Sequence, residues 1–246
     1  MLHRYPYWSD ILRHAHDDDA HERLAAWLNE RDDPRGEFIH LQCQLRRLGS
    51  RDPLRFALEG RERELLADHR DEWLGEVAKF VDWCVFRRGF PHEISISAST
   101  FLRHADRFAE TTIRQVHLTA ARDKTGLLAA SPILRRLTYL DLSNNFLRDQ
   151  GARLLAESPN VVNLEGLNLS STGMGDAGAC ALAASRHLIG LRELYLCDNR
   201  IGQTGLRALE RSPLVRQLEV LSLRCNNCAS DGVRLRAADP VLSLHM

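Results

Sequence analysis

The chain has 246 residues, 44% of them hydrophobic and 27% charged, and its 33 basic and 33 acidic side chains balance to a formal charge of zero. This is the composition of an ordinary soluble protein, either one elongated domain or two small ones. A nucleic-acid-binding domain is usually strongly basic, so the charge balance disfavours that class. No run of about 18 apolar residues offers a membrane span.

Residues Met1 to Asp10 hold no apolar stretch of the kind a signal peptide needs. The cysteines (Cys43, Cys84, Cys180, Cys197, Cys225 and Cys228) show no framework spacing. Reduced thiols and a cytoplasmic location are therefore expected. Basic residues are nearly all arginine, with only Lys79 and Lys124 as exceptions.

Up to about Phe80 the chain reads as helices. Ala20 to Glu30 carries Leu24, Trp27 and Leu28 on one face. Asp33-Pro34 starts a second helix, since aspartate caps and proline suits the first helical position. Phe38, Leu41, Leu45 and Leu48 continue it at helical spacing until Gly49-Ser50. Asp52-Pro53 repeats the start signal, and Leu54, Ala57, Leu58, Leu65 and Leu66 form the next apolar stripe. Trp73 is expected to anchor that segment in a core.

From Phe86 the period changes. Ile94 and Ile96 alternate with polar neighbours, which predicts a strand. Phe101, Leu102, Ala105 and Phe108 return to helical spacing, Val116 and Leu118 make another strand, and Leu127 to Ala130 a short helix. From Leu137 the chain repeats every 27 residues. Leu137, Leu164, Leu191 and Leu218 open the copies, with Leu140, Leu167, Leu194 and Leu221 three residues on and Leu142, Leu169, Leu196 and Leu223 two further. Gly151, Gly178, Gly205 and Gly232 keep the same register, as do Ser131, Ser158, Ser185 and Ser212. Six strands are expected, centred on residues 94, 116, 140, 167, 194 and 221. In the last copy Arg236 replaces the helix leucine and Pro240 ends the helix, which reads as an improvised cap.

The pattern L-x-x-L-x-L-x-x-N resembles a leucine-rich repeat. A helix in each copy of this length is similar to the ribonuclease-inhibitor-like class. The resemblance implies a short α/β solenoid with parallel concave strands and convex helices, across residues 86–246. Asn145, Thr172, Asn199 and Asn226 would form its turn ladder; the threonine reaches less far, so its turn should be held less well. Asp17-Asp18-Asp19-Ala20, Trp27-Leu28, Asp33 to Ile39, Leu65 to His69, Trp73-Leu74-Gly75 and Phe86 to Phe90 resemble the repeat-companion domain that planctomycete bacteria carry in front of such repeats. That implies a bacterial protein with a small all-α domain at residues 1–85. Where the family usually has tyrosine, alanine and aspartate before the tryptophan, this chain has Leu24-Ala25-Ala26. The family implies an architecture and no activity.

Three clusters suggest chemistry. Gly173-Met174-Gly175-Asp176-Ala177-Gly178, with Asp198 beyond, meets the dinucleotide fingerprint formally. The repeat register accounts for it better, because Met174 matches Leu147 and Ile201, and Gly178 matches Gly151 and Gly205. Cys225-Asn226-Asn227-Cys228 has no second ligand pair to complete a zinc site, and Cys228 falls at an apolar position. His14, His16, Asp17, Asp18, Asp19 and His21 leave open a metal-dependent enzyme or cofactor binder. The simpler account is a helix cap by Asp18 or Asp19. No catalytic residue, metal or cofactor is expected.

The favoured function is non-enzymatic protein binding on the concave strands, a scaffold role typical of such surfaces. Alternation sets out three rows: Gln115, Tyr139, Gly166, Glu193 and Val220; His117, Asp141, Asn168, Tyr195 and Ser222; Thr119, Ser143, Ser170, Cys197 and Arg224. Tyr139, Asp141, Asn168, Glu193, Tyr195 and Arg224 are the expected contact residues. Tyrosine and arginine are enriched at binding hot spots. The partner is an unidentified protein, with neither nucleic acid nor membrane expected.

Overall fold

The computed structural model describes residues 5–13 and 17–228. His14, His16, Gly232, Arg236 and Pro240 lie outside the described residues. The chain divides into two compact units between Glu93 and Ile94.

In the first unit, α1 (Trp8–Arg13) precedes α2 (Asp18–Asn29), α3 (Pro34–Arg47) and α4 (Pro53–Leu74). The two Asp-Pro signals act as read: Asp33 and Asp52 accept the amides of Arg35 and Leu54, each at 2.9 Å. The cap of α2 is neither Asp18 nor Asp19 but Asp17, whose carboxylate accepts the Asp19 amide at 2.9 Å. Trp8, Ile11, Leu24, Leu28, Ile39 and Phe90 make one buried cluster. Phe38 stacks on Trp73 with ring centroids 4.6 Å apart, anchoring the end of α4. The start of α4 departs from its expected stripe: Leu54 is 63% exposed, and of that stripe only Leu65 is buried. Arg55 ties this turn down instead, donating to the carbonyls of Leu45 and Leu48.

The first unit is not all helix. Strand β1 (Trp83–Arg87) lies outside the six expected strands and is joined to β2 (Phe90–Ser97) by Arg88 and Gly89 alone. Both have positive φ, 51° and 81°, the backbone of a tight hairpin turn. Gly89 is required there, since a Cβ would lie 2.1 Å from Ile39 Cγ1. Gln42 clamps the turn by accepting the Gly89 amide at 2.7 Å and donating to the Phe86 carbonyl at 3.1 Å.

In the second unit, α5 (Ala98–Arg103) and α6 (Ala105–Ala109) lead to β3 (Gln115–Thr119) and α7 (Thr125–Ala130). Then β4 (Tyr139–Asp141), α8 (Arg148–Ala156), β5 (Gly166–Asn168), α9 (Asp176–Ala183), β6 (Glu193–Tyr195), α10 (Gln203–Arg211), α11 (Pro213–Gln217) and β7 (Val220–Ser222) alternate. Strands β3 to β7 follow chain order in one sheet. From β3 to β7 each pairs in parallel with the next, and Leu140, Leu167, Leu194 and Leu221 stand side by side. All four are fully buried, as are Leu142 and Leu196. Each buried leucine contributes roughly 1.5–3 kcal/mol, and no single copy could shield its own.

The repeated polar residues close the turns between copies. Asn145 donates to the Leu118 carbonyl at 2.7 Å and accepts the Ala121 amide at 2.7 Å. Asn199 donates to Leu169 at 2.8 Å and accepts from the Met174 amide at 3.0 Å. Asn226 repeats this toward Leu196 and Ile201. Thr172 donates to Leu169 of its own turn at 2.8 Å and to Asn199 at 3.1 Å. Ser158 and Ser185 donate back to the carbonyls of Ala129 and Ala156 in the preceding copy.

Candidate functional site

The strand face turned from the leucine core carries two registered rows. Tyr139, Gly166, Glu193 and Val220 are successive partners across the sheet, and so are His117, Asp141, Asn168, Tyr195 and Ser222. Of the third expected row only Thr119 lies in a strand, at the end of β3, because β4 to β7 are only three residues long. Ser143, Ser170, Cys197 and Arg224 belong to the turns that follow.

The expected contact residues form two groups. Asp141 is at the centre of the first. Its Oδ2 lies 3.1 Å from His117 Nδ1 and accepts from Asn168 at 3.0 Å, while its Oδ1 accepts the Ser143 amide at 2.7 Å. Asn168 in turn accepts the Ser170 amide at 3.0 Å. Burial pushes the Asp141 carboxyl up, but the hydrogen bonds from His117 and Ser143 outweigh it and hold the group below its ordinary value. At 9% exposure, Asp141 spends its charge inside this ladder rather than presenting it outward.

Tyr139 lies beside the ladder, its ring 6.0 Å from that of His117. The ring covers Gly166, where a Cβ would come within 2.3 Å of Tyr139 Cδ2. The glycine is therefore the seat of the tyrosine, a role visible only once the register is known. His117 belongs to the same cluster although it was not among the expected contact residues.

The second group is Tyr195 with Glu193. The phenol donates to Glu193 Oε2 at 3.1 Å, and burial followed by the Glu193 charge raises the phenol's pKa. Cys197 and Ser222 lie 2.8 Å apart beside it, and Arg224 is exposed. In the turns, Phe146 is 40% exposed and lies between Arg122 and Arg148, whose guanidinium carbons are 5.7 and 4.5 Å from its ring centre. Sequence reasoning passed over this aromatic, since Gly173, Arg200 and Asn227 hold its register position.

Two glycine amides of the glycine-rich stretch are already occupied. Gly175 and Gly178 both donate to Asp149 Oδ1 of the preceding copy, at 2.7 and 2.9 Å. Gly202 and Gly205 donate in the same way to Asp176, at 2.7 and 2.8 Å. Where a pyrophosphate would sit at a helix start, this fold places a carboxylate. Met174 is fully buried, as its register requires.

In the first unit, His21 is 2% exposed and its Nδ1 lies 2.6 Å from the Asp17 carbonyl. Burial is the main cause that lowers its pKa. Asp18 pairs with Arg88 at 2.6 Å. Among the described residues no three His, Cys, Asp or Glu side chains are grouped to hold a metal ion. Cys225 is exposed and Cys228 half-buried.

With this geometry in place, a family model described as Leucine Rich repeat matches residues 135–156 and 162–183, so β4 to α9 hold two leucine-rich repeats. A search of curated proteins finds no match to the chain. Among the described residues no helix is long and apolar enough to cross a membrane.

Proposed function

We propose that this chain is a non-enzymatic protein-interaction module. A short leucine-rich-repeat arc of the ribonuclease-inhibitor-like class follows a bacterial companion domain, expected over residues 1–85, and the protein works in the cytoplasm. A partner protein lies against the concave strand face and is anchored by Tyr139 and Tyr195. Two tyrosines held on one face carry this reading: one lies over Gly166 and the other is tied to Glu193 at 3.1 Å. Aromatic side chains already fixed in place lose little freedom on binding, and such residues are frequent hot spots. Glu193 and Arg224 then set specificity more than affinity. Asp141 and Asn168 hold the neighbouring surface rigid.

Affinity purification from native lysate, read by mass spectrometry, tests this. Wild type is compared with a Tyr139→Ala, Tyr195→Ala double variant and with a control changed on the helix side, Arg207→Gln. Loss of each true hot spot costs about 2 kcal/mol or more, so the partner leaves the folded double variant and stays on the control. The same proteins on all three would overturn the strand-face assignment.

A further inference from the structure

Four arginines gather where the chain enters the strands of the second unit. Arg114, Arg135, Arg136 and Arg192 line a groove of about 570 Å³ in which Glu165 is the sole acidic lining residue. The groove stands on the repeat register. Arg136 and Asn163 immediately precede the opening leucines Leu137 and Leu164, while Thr138, Glu165 and Arg192 immediately follow Leu137, Leu164 and Leu191. Its floor is rigid main chain: the amides of Thr138, Glu165 and Arg192 donate to the carbonyls of Arg114, Thr138 and Glu165 at 2.8, 2.8 and 2.7 Å.

Two of the guanidiniums converge. Arg114 Nη1 donates to the Thr111 carbonyl at 3.1 Å and to the Ile113 carbonyl at 2.9 Å, and Arg136 Nη2 donates to the same Thr111 carbonyl at 3.2 Å. Among the described residues both are held by carbonyls and no carboxylate forms an ion pair with either. Arg136 Nε is buried with no hydrogen-bond partner. Arg135 is likewise met by a neutral group, the Asn160 amide oxygen at 2.9 Å. Arg192 pairs with Glu219, pointing along the sheet rather than back to the convergent pair. Burial, followed by the neighbouring Arg136, brings the Arg114 pKa down to about 10. A carbonyl dipole offsets a full charge poorly, and like charges sharing one acceptor repel. An anion bridging both forks removes that repulsion and adds charge-assisted hydrogen bonds.

We propose that this groove binds the dianionic phosphate of a phosphate monoester, with Arg114 and Arg136 as its main ligands and Arg135 at its rim. A phosphate group carries two charges and three acceptor oxygens, which match two planar forks better than a carboxylate does. A volume of about 570 Å³ leaves room for the group that bears the phosphate. It lies at the edge where strands begin, apart from the tyrosine face, so it stands whether or not that face binds a protein.

The test is calorimetric titration of the full chain at low salt with phenyl phosphate, then inorganic phosphate, dimethyl phosphate and acetate. Saturable binding of the two dianions is expected, with the monoanions at least about tenfold weaker. Arg114→Gln and Arg136→Gln should each weaken phenyl phosphate by about tenfold or more, the loss of a charge-assisted bond, while Arg207→Gln leaves it unchanged. Each glutamine variant removes a repelling charge, so its melting temperature without ligand should hold or rise. If one fails to fold, Arg136→Lys keeps the charge but not the fork and should also weaken binding. No saturation up to tens of millimolar, equal binding of acetate, or undiminished binding in the variants overturns the proposal.

Discussion

Asp149 caps a helix that is not its own. Its Oδ1 accepts the Gly178 amide at 2.9 Å and the Gly175 amide at 2.7 Å, at the start of α9 in the following copy. Asp176 does the same for α10, so helix starts are linked from one repeat to the next. A carboxylate there satisfies orphan amides and complements the positive end of the helix. Asp149→Ala should destabilise the chain by about 1–2 kcal/mol in a urea melt, with faster hydrogen exchange at Gly178. Asp149→Asn keeps an acceptor and should cost less. Equal stability of wild type and Asp149→Ala would show that the cap is not needed.

Thr172 breaks the asparagine ladder in a way that can be repaired. Asn145, Asn199 and Asn226 each reach a carbonyl of the preceding copy, at 2.7, 2.8 and 2.9 Å. Thr172 stays within its own turn and leans on Asn199. The corresponding acceptor for residue 172 is the Leu142 carbonyl. Thr172→Asn is expected to form that bond and stabilise the protein by about 0.5–1.5 kcal/mol, the net worth of one buried hydrogen bond. Asn199→Ala should do the reverse and more, by roughly 3 kcal/mol, because the backbone groups it serves are left buried without partners. Thermal melts of both variants decide this, and a lowered melting temperature for Thr172→Asn would show that its side chain cannot reach.

Much of this was legible in the chain, and what was not has a common cause. The leucines repeat at one spacing and so announce strands, register and buried face together. Aspartate before proline marks helix starts by purely local chemistry. The Asp149 cap, by contrast, joins groups 26 and 29 residues apart in different copies, and no local pattern shows that. Strand β1 escaped because only Phe86 of its five residues is buried, so no apolar alternation appears. Asp141 reads as an outward charge until the register puts His117 and Asn168 on its two sides. Positive φ at Asn144, Ser171, Asp198 and Cys225 recurs at the repeat spacing, yet these four residue types share no signature.

The cysteines should differ sharply in reactivity. Burial pushes the thiols of Cys43 and Cys84 up to about 12, whereas Cys225 is exposed. A thiol of that pKa is ionised only about one part in ten thousand at pH 8, and the thiolate is the reacting form. Labelling of the native protein with a disulfide reagent at pH 8 should modify Cys225 early and leave Cys43 and Cys84 intact until denaturant is added. Prompt native labelling of Cys43 would mean that α2 and α3 open readily.

Acid should act on the strand face through Asp141. Burial raises its pKa, but His117 and Ser143 lower it further, leaving the folded value below that of the unfolded chain. A carboxyl depressed in this way stabilises the fold at pH values above its unfolded pKa of about 3.9. The contribution is lost as pH falls from there through the folded value. Asp141→Asn removes the titrating group, so the stability difference between wild type and variant should hold from pH 6 to about 4 and shrink as pH falls below that. In the same range a carboxyl carbon titration by NMR should place the Asp141 midpoint below that of an ordinary aspartate. A difference that stays constant across this range would show that Asp141 is held by packing and not by its charge.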